Sequence, residues 1–470
     1  MQTTSGPDNN AADEKQPLIA DDKHSTPESE SAEMLENGDE DDIEIEAMPM
    51  VSMYSLKSSQ KIESTAERGA LTFLKNLIGT GILALPYVIQ QVGLIPAWIL
   101  IITLGMLNFY SMNLLNKVAN ALKVKKIDHG RLCEKVTESK FLRYLADINI
   151  YILQLGGCLP GVIFILEYLE KITCLYEWEA FCDVKFMQIL LILIFVLPIG
   201  AITDLHYLSI PSGIAILVQF FFYLVFVVIC GIKIYQNGIA AGSFTAYDLS
   251  NLPIAFASIL FAYEGIGLLL ELRASVPNKK EFKKVMRYSL FFSTLAYFLF
   301  GTFGKLAFGA DVEAVVFLNL DQSNNFLVIL EFAYLLALTT ALPAAVFPPL
   351  RVIENWGIFK TWLLDPETGM KSKWKRQLIR QPLFIMIVLA AAIAPSFNIV
   401  ISLLGGSNFT VLSFVIPVIL YNTKFKGDPK KRWYRLFNWV ILVVGVILGS
   451  IATYQSILDI YAATTTTTTA

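Results

Sequence analysis

Eleven apolar stretches divided by polar connections run from residue 69 to residue 460. They cover 69–91, 94–118, 145–168, 186–203, 209–233, 251–271, 287–307, 326–350, 382–400, 402–421 and 436–460. Helices of roughly 18–25 apolar residues cross a hydrocarbon core of about 30 Å. The pattern therefore predicts an all-α polytopic membrane protein of about eleven transmembrane helices, with the lipid bilayer as its first partner. The ninth and tenth stretches are weakly divided, so 382–421 reads as two helices or as one long hairpin. Residues 1–66 are polar, with no apolar segment of the signal-peptide kind. Three regions are expected: an acidic disordered tail over 1–66, a membrane domain over 67–462, and a short Thr-rich tail over 463–470.

Two of the eleven stretches are interrupted. The first reads Lys75-Asn76-Leu77-Ile78-Gly79-Thr80-Gly81-Ile82-Leu83-Ala84-Leu85-Pro86. Helix formation is poor across Gly-Thr-Gly, and an unpaired backbone group costs several kcal/mol in lipid. An opened segment must line a protein cavity or hold a ligand; a glycine-rich packing face is the plainer alternative. The sixth reads Leu260-Phe261-Ala262-Tyr263-Glu264-Gly265-Ile266-Gly267, with a carboxylate and two glycines mid-span. Five spans separate the two, so they run in opposite directions, as an inverted repeat of five plus five helices requires. Paired broken segments are the sequence mark of a secondary-transporter binding site. The half-helix after Gly81 would offer N–H groups and a positive dipole end to a carboxylate. Free carbonyls of the second break would take an ammonium group.

Charge supplies orientation. The connections 123–143, 273–287, 351–380 and 424–435 hold twenty-six of the thirty-seven Lys and Arg residues. The alternating connections hold only Lys171, Lys185, Lys233 and Lys305. Basic loops stay in the cytosol, which places the N-terminus there and the Thr-rich tail in a lumen or outside. The first fifty residues carry fifteen acidic and two basic residues, a disorder-prone composition. Within them, Glu14-Lys15-Gln16-Pro17-Leu18-Ile19 resembles the acidic dileucine signal that sorting adaptors read; a solvated leader is the alternative. Cys174 and Cys182 share one outer connection, which leaves a local bridge and two free thiols both open. Nothing in the composition points to nucleic acid, a metal ion or a cofactor.

Leu77–Pro86 with Phe261–Gly267 resembles the proton-coupled amino acid transporter family of the amino acid/auxin permease superfamily. Phe303–Ala310 with Leu318-Asn319-Leu320, Leu342-Pro343 with Phe347-Pro348, and Ile399–Ser407 agree with the family in the same order. The resemblance covers roughly 67–460. It implies a leucine-transporter-type 5+5 inverted repeat with broken helices 1 and 6. It also implies transport of small neutral amino acids of the glycine, alanine and proline class. Substrate contacts are then expected at Ile78, Gly79, Thr80, Gly81, Phe261, Tyr263, Glu264 and Gly265.

Coupling residues follow from charges inside spans, which are functional by default. Lys75 stands where sodium-coupled relatives keep an Asn, and so implies sodium-independent transport; snorkelling is its plainer reading. Glu264 is a candidate for gating or proton uptake, and otherwise caps the opened backbone. Thr339 and Thr340 sit where the eighth helix faces the first. The sequence departs from the family at Thr72, where proton-coupled members carry His, and at Glu271, where Pro is expected. The family's cysteine after Leu320 is absent too, so its disulfide does not carry over, and Cys174 with Cys182 is the replacement. Proton-coupled symport therefore stands beside simple exchange. The expected function is a secondary amino acid transporter working by alternating access in the lysosomal, late endosomal or plasma membrane. An amino acid sensor with little flux is the alternative. An enzyme would need a nucleophile or ligand cluster in the spans, and neither HExxH nor GxSxG occurs.

Overall fold

The computed structural model describes residues 73–74, 77–124, 126–178, 185–202, 206–244, 247–276, 278–355, 357–364, 372–429 and 432–469. The Gly-Thr-Gly sequence does in three dimensions what its chemistry suggests. Gly79 is extended at φ −98° and ψ −160°, outside the helical region. The chain re-enters helix as a 3₁₀ segment over Thr80–Ala84 and becomes α-helical over Leu85–Val92. Pro86 sits in the first turn of that α-helix, where its missing N–H costs no hydrogen bond. Gly93, at φ +89°, ends the segment and turns the chain directly into the second span, a conformation that favours glycine.

Among the described residues nine helices are long and apolar enough to cross a membrane. In chain order after the first span they are the second (Leu94–Ala121), third (Lys140–Leu175), fifth (Pro211–Asn237) and sixth (Leu249–Ala274). Then come the seventh (Glu281–Asp311), eighth (Asn325–Phe347), ninth (Trp374–Ile393), tenth (Phe397–Lys424) and eleventh (Arg432–Ala463). Two shorter apolar helices, Thr80–Val92 and Lys185–Gly200, fall on the first and fourth predicted stretches. Each of the eleven stretches thus contains helix among its described residues. The ninth and tenth are separate helices: the chain leaves helix at Ala394-Pro395-Ser396, and the Ser396 hydroxyl accepts from Ile399 N to start the next. The final helix runs on to Thr469, so the Thr-rich segment continues it.

Burial separates core spans from peripheral ones. Of the 18 most apolar residues in each span, 83% are buried in the sixth and 28% in the eleventh. The sixth span is therefore the centre of the bundle. The tenth crosses it so closely that a methyl group at Gly405 would meet the Ala257 carbonyl at 1.9 Å. Small residues permit such approach where lipid gives no hydrophobic drive for helix pairing. Around Gly405 the tenth span winds as π-helix, over Gly405–Phe409 and again over Val411–Val415.

The connections are specific as well. Between the second and third spans, on the side of the basic loops, His129–Thr137 forms a short helix capped by Asp128, whose Oδ1 accepts from Arg131 N at 2.6 Å. On the same side Glu354 takes Arg380 Nε at 2.8 Å and Arg376 Nε at 3.1 Å, and joins the eighth helix to the ninth. On the opposite side Glu331 is buried against the Tyr168 hydroxyl at 2.7 Å and Gln322 Nε2 at 3.1 Å. A buried carboxylate needs such partners.

Candidate functional site

A broken helix leaves carbonyl oxygens without their usual donors, and each has to be satisfied. In the sixth span the α-helix ends at Ala262, and a 3₁₀ turn follows over Ile266–Leu268. Three carbonyls of this stretch are met by side chains from other elements. The Tyr297 hydroxyl of the seventh span lies 2.5 Å from the Ala262 carbonyl. Asn108 Nδ2 of the second span donates to the Tyr263 carbonyl at 2.7 Å. His129 Nε2, from the connection helix, lies 3.0 Å from the Ile266 carbonyl. The first break is finished differently. Tyr297 also reaches the Leu77 carbonyl, so one phenol stands between the two breaks. Tyr223 of the fifth span donates to the Gly79 carbonyl at the longer distance of 3.3 Å, and its oxygen lies 3.0 Å from the Tyr334 hydroxyl.

The breaks touch each other. A methyl group at Gly81 would meet Ala262 Cα at 2.7 Å and the Phe261 ring at 3.1 Å. At Gly265 it would meet the Leu77 side chain at 2.7 Å. Gly79 is the exception: it is exposed, and a methyl group there would meet none of the described atoms within 4 Å. In the third span Gly157 and Gly161 share a helix face. A Gly157 methyl would meet the Leu153 carbonyl at 2.7 Å and stand 3.9 Å from Glu264 Oε2, whereas at Gly161, although it is buried, no described atom lies within 4 Å. The structure thus gathers Gly79, Gly81, Phe261, Ala262 and Glu264 around one junction.

Other expected contacts face elsewhere. Tyr263 is buried with its hydroxyl 2.9 Å from both the Ile101 carbonyl and Thr294 Oγ1, so the phenol is taken up by the second and seventh spans. Phe261 packs edge-on to Phe409 at 5.2 Å. Ile78 is buried, and its N–H continues the preceding helix to the Leu74 carbonyl. Thr80 begins the 3₁₀ segment. Thr339 and Thr340 each donate to a carbonyl of their own helix, Leu335 and Ala337. Neither Gly79 nor Gly81 is among the glycines at positive φ. Gly81 is held by close approach instead. Cys174 is disulfide-bonded. Lys75, Thr72, Cys182, Glu14, Leu18 and Ile19 lie outside the described residues.

Aromatic side chains cover the junction on the side away from the basic loops. Phe317, in the connection between the seventh and eighth spans, is fully buried and stacks on Phe222 at 3.9 Å. Phe164 and Tyr334 pack on it at 4.8 Å each. Lys171 fixes this connection through the Leu318 carbonyl. Asn108, Tyr223, Tyr297, Tyr334, Gly157, Gly161 and His129 were not singled out by the sequence patterns as parts of the site. Their signal was a polar or small residue in an otherwise apolar span, which becomes specific once the breaks are seen to need donors. Among the described residues no group of three His, Cys, Asp or Glu is arranged to hold a metal ion.

Comparison with known proteins gives a concordant picture. Residues 63–458 match the model of the transmembrane amino acid transporter protein family. The chain is 25% identical over 433 residues to the amino acid transporter ANT1 of Arabidopsis thaliana, covering 88% of this chain and 97% of that one. It is 24% identical over 430 residues to vacuolar amino acid transporter 4 of Saccharomyces cerevisiae, covering 86% of this chain and 59% of the yeast protein. Among solved structures, MhsT in complex with L-phenylalanine aligns at 14% identity and a TM-score of 0.48, over 83% of this chain and 97% of that one. The manganese transporter of Eremococcus coleocola aligns at 15% identity and a TM-score of 0.49, over 85% and 90%. The plant and yeast relatives are amino acid transporters by name, and with a family match across nearly the whole described membrane region the chain belongs to the transmembrane amino acid transporter protein family.

Proposed function

We propose that this chain is a secondary transporter of small neutral amino acids that binds its substrate between the two breaks and works without sodium. The observation that carries the reading is the open space at Gly79 beside a junction where the two broken spans share one phenol. The 3₁₀ start after Gly79 would offer N–H groups to the substrate carboxylate, as the first turn of a helix does. The ammonium would take the remaining acceptors. Tyr297 has one proton for two carbonyls, so a second donor at the junction is favoured. The space beside the glycines at 79 and 161 is on the scale of a methyl group, which favours glycine, alanine and proline as substrates. Glu264 is the carboxylate facing this space, and we assign it the role of substrate gate or proton acceptor. Lys75 is assigned the place of a coupling cation.

The test is uptake of a panel of labelled amino acids into proteoliposomes at two pH values, with sodium or choline outside. Uptake of the small neutral class, equal in the two salts, is the expected result. Saturable binding without flux would replace the carrier by the sensor reading, and steep sodium dependence would remove the role of Lys75. We further propose residence in a lysosomal or vacuolar membrane, supported by relatives named as vacuolar and by the dileucine-like segment. Leu18→Ala with Ile19→Ala should then shift the protein to the cell surface; an unchanged distribution would deny the signal.

A further inference from the structure

His129 is the single imidazole that the structure brings to the broken spans among the described residues. It lies on the short helix His129–Thr137, far in sequence from the sixth span, yet its ring meets the Ile266 carbonyl, which also accepts from Leu269 N in the 3₁₀ turn that follows the second break. It is buried, with 6% of its surface exposed. Just beside it is a small pocket lined by Asp128, Asp147 of the third span, Gln154, and Glu271 of the sixth span. One helical turn beyond the pocket lining, Cys158 Sγ donates to the Gln154 carbonyl, beside the Gly157 that Glu264 approaches.

We propose that His129 is a proton-sensitive latch that holds the sixth-span break closed on the side of the basic loops. The proposal rests on the carrier reading only for its purpose. The latch itself is a conformational device and is tested without flux.

The chemistry runs as a linkage. With the latch shut, the neutral ring donates Nε2–H to Ile266. Burial keeps it neutral by lowering its pKa to about 4, against a smaller upward pull from the Ile266 hydrogen bond. When the helix moves away, the ring meets water and its pKa returns to about 6.5. A proton therefore binds the open form more tightly, and acid favours opening below about pH 6.5. The groups facing the ring point the same way. Asp128, Asp147 and Glu271 surround the pocket and would hold an imidazolium once water enters. Their own counter-charges are partial: Arg143 Nε is 3.9 Å from Asp147 and gives its closer contact, 2.6 Å, to Glu134, and Lys126 is the cation acting on Glu271. Arg131 belongs to the Asp128 cap, Cys133 is buried on the helix's inner face, and the tenth span packed behind brings Tyr421, which faces Lys117. Glu271, where the family resemblance leads one to expect Pro, thus has a place in the latch pocket.

Cys158 is a native reporter for this opening, because it is buried one helical turn beyond Gln154 of the pocket lining and an opening that moves Gln154 aside would expose it. The experiment uses the full chain in nanodiscs, with Cys133→Ser and Cys230→Ser so that Cys158 reports, and a small polar maleimide. Rates are compared with those of His129→Gln at the same pH, which cancels the thiol's own titration. Gln keeps a donor for Ile266 and does not titrate. At pH 7.5 the two should label alike. At pH 5.5 the His129 protein should label about tenfold faster, the ratio a pKa change from about 4 to about 6.5 implies. His129→Ala should label several-fold faster than the His129 protein at pH 7.5. A His129-to-Gln ratio that stays flat between the two pH values overturns the proposal, as does a monodisperse His129→Ala protein no faster than its parent. If His129→Ala does not fold, the Gln ratio decides alone. Loss of flux with the ratio intact would sink the carrier reading and leave the latch standing.

Discussion

The two breaks are interrupted by the same means and finished in opposite ways. At the second break Ala262, Tyr263 and Ile266 each give their carbonyl to a side chain on another element, at 2.5–3.0 Å. Its residues are almost all buried. At the first break Tyr297 meets the Leu77 carbonyl, but Gly79 is exposed and its own carbonyl is held at longer range, by Tyr223 at 3.3 Å and Ile82 N at 3.5 Å. A stretch of unwound backbone can therefore be a rigid frame or an open seat, and the distinction lies in how its polar groups are answered. The second break is a preorganised wall. The first keeps free the groups a ligand would use, and free binding groups held in place lower the ordering cost of binding.

The difference can be broken at its tightest point. Gly81→Val places a branched side chain against Ala262 Cα at 2.7 Å, and backbone cannot yield as a flexible side chain can. This variant should lose the monodisperse protein altogether, a larger effect than loss of binding alone. Native thermal stability in Gly81→Val would deny that the breaks are in contact. The hydroxyl of Tyr297 comes next. Tyr297→Phe strands buried carbonyls of both breaks, at a cost of about 1–3 kcal/mol for an unsatisfied buried group. Tyr223→Phe, made in a Tyr334→Phe background so that no buried hydroxyl is left unpaired, should cost less relative to that background, about 0.5–1.5 kcal/mol, because the Gly79 residue whose carbonyl it leaves is exposed. Denaturation of the two variants side by side checks the order. Equal losses would mean that the first break is as closed as the second.

Much of this was legible in the sequence because broken helices are local events. Gly79-Thr80-Gly81 and Tyr263-Glu264-Gly265 announce themselves through residues that cannot continue a helix in lipid, and the eleven apolar stretches follow from length alone. The ninth-to-tenth boundary was ambiguous because Pro395 and Ser396 are a slight interruption in an apolar run. The answering side chains were not legible. Asn108, Tyr223, Tyr297 and His129 lie 35 to 220 residues from the groups they serve, in different elements, and no periodicity ties a donor to a distant carbonyl. Tyr263 shows the opposite failure: it stands inside the motif, yet its hydroxyl serves Ile101 and Thr294, and only its backbone belongs to the break. The glycines at 81 and 405 were readable as glycines but not as contacts, since their role depends on a helix five or four spans away.

The central claim is that the space at Gly79 seats the substrate. Because a methyl group at Gly79 meets none of the described atoms within 4 Å beyond its chain neighbours, and φ −98° is open to any residue, a valine there is expected to leave the melting temperature unchanged. Any loss must then come from the ligand. The direct measurement is the binding isotherm of labelled alanine on purified Gly79→Val and its parent, with melting temperatures taken on the same samples. The account predicts an unchanged melting temperature and no saturable binding in the variant. Parental affinity in a Gly79→Val protein with the parental melting temperature would contradict it.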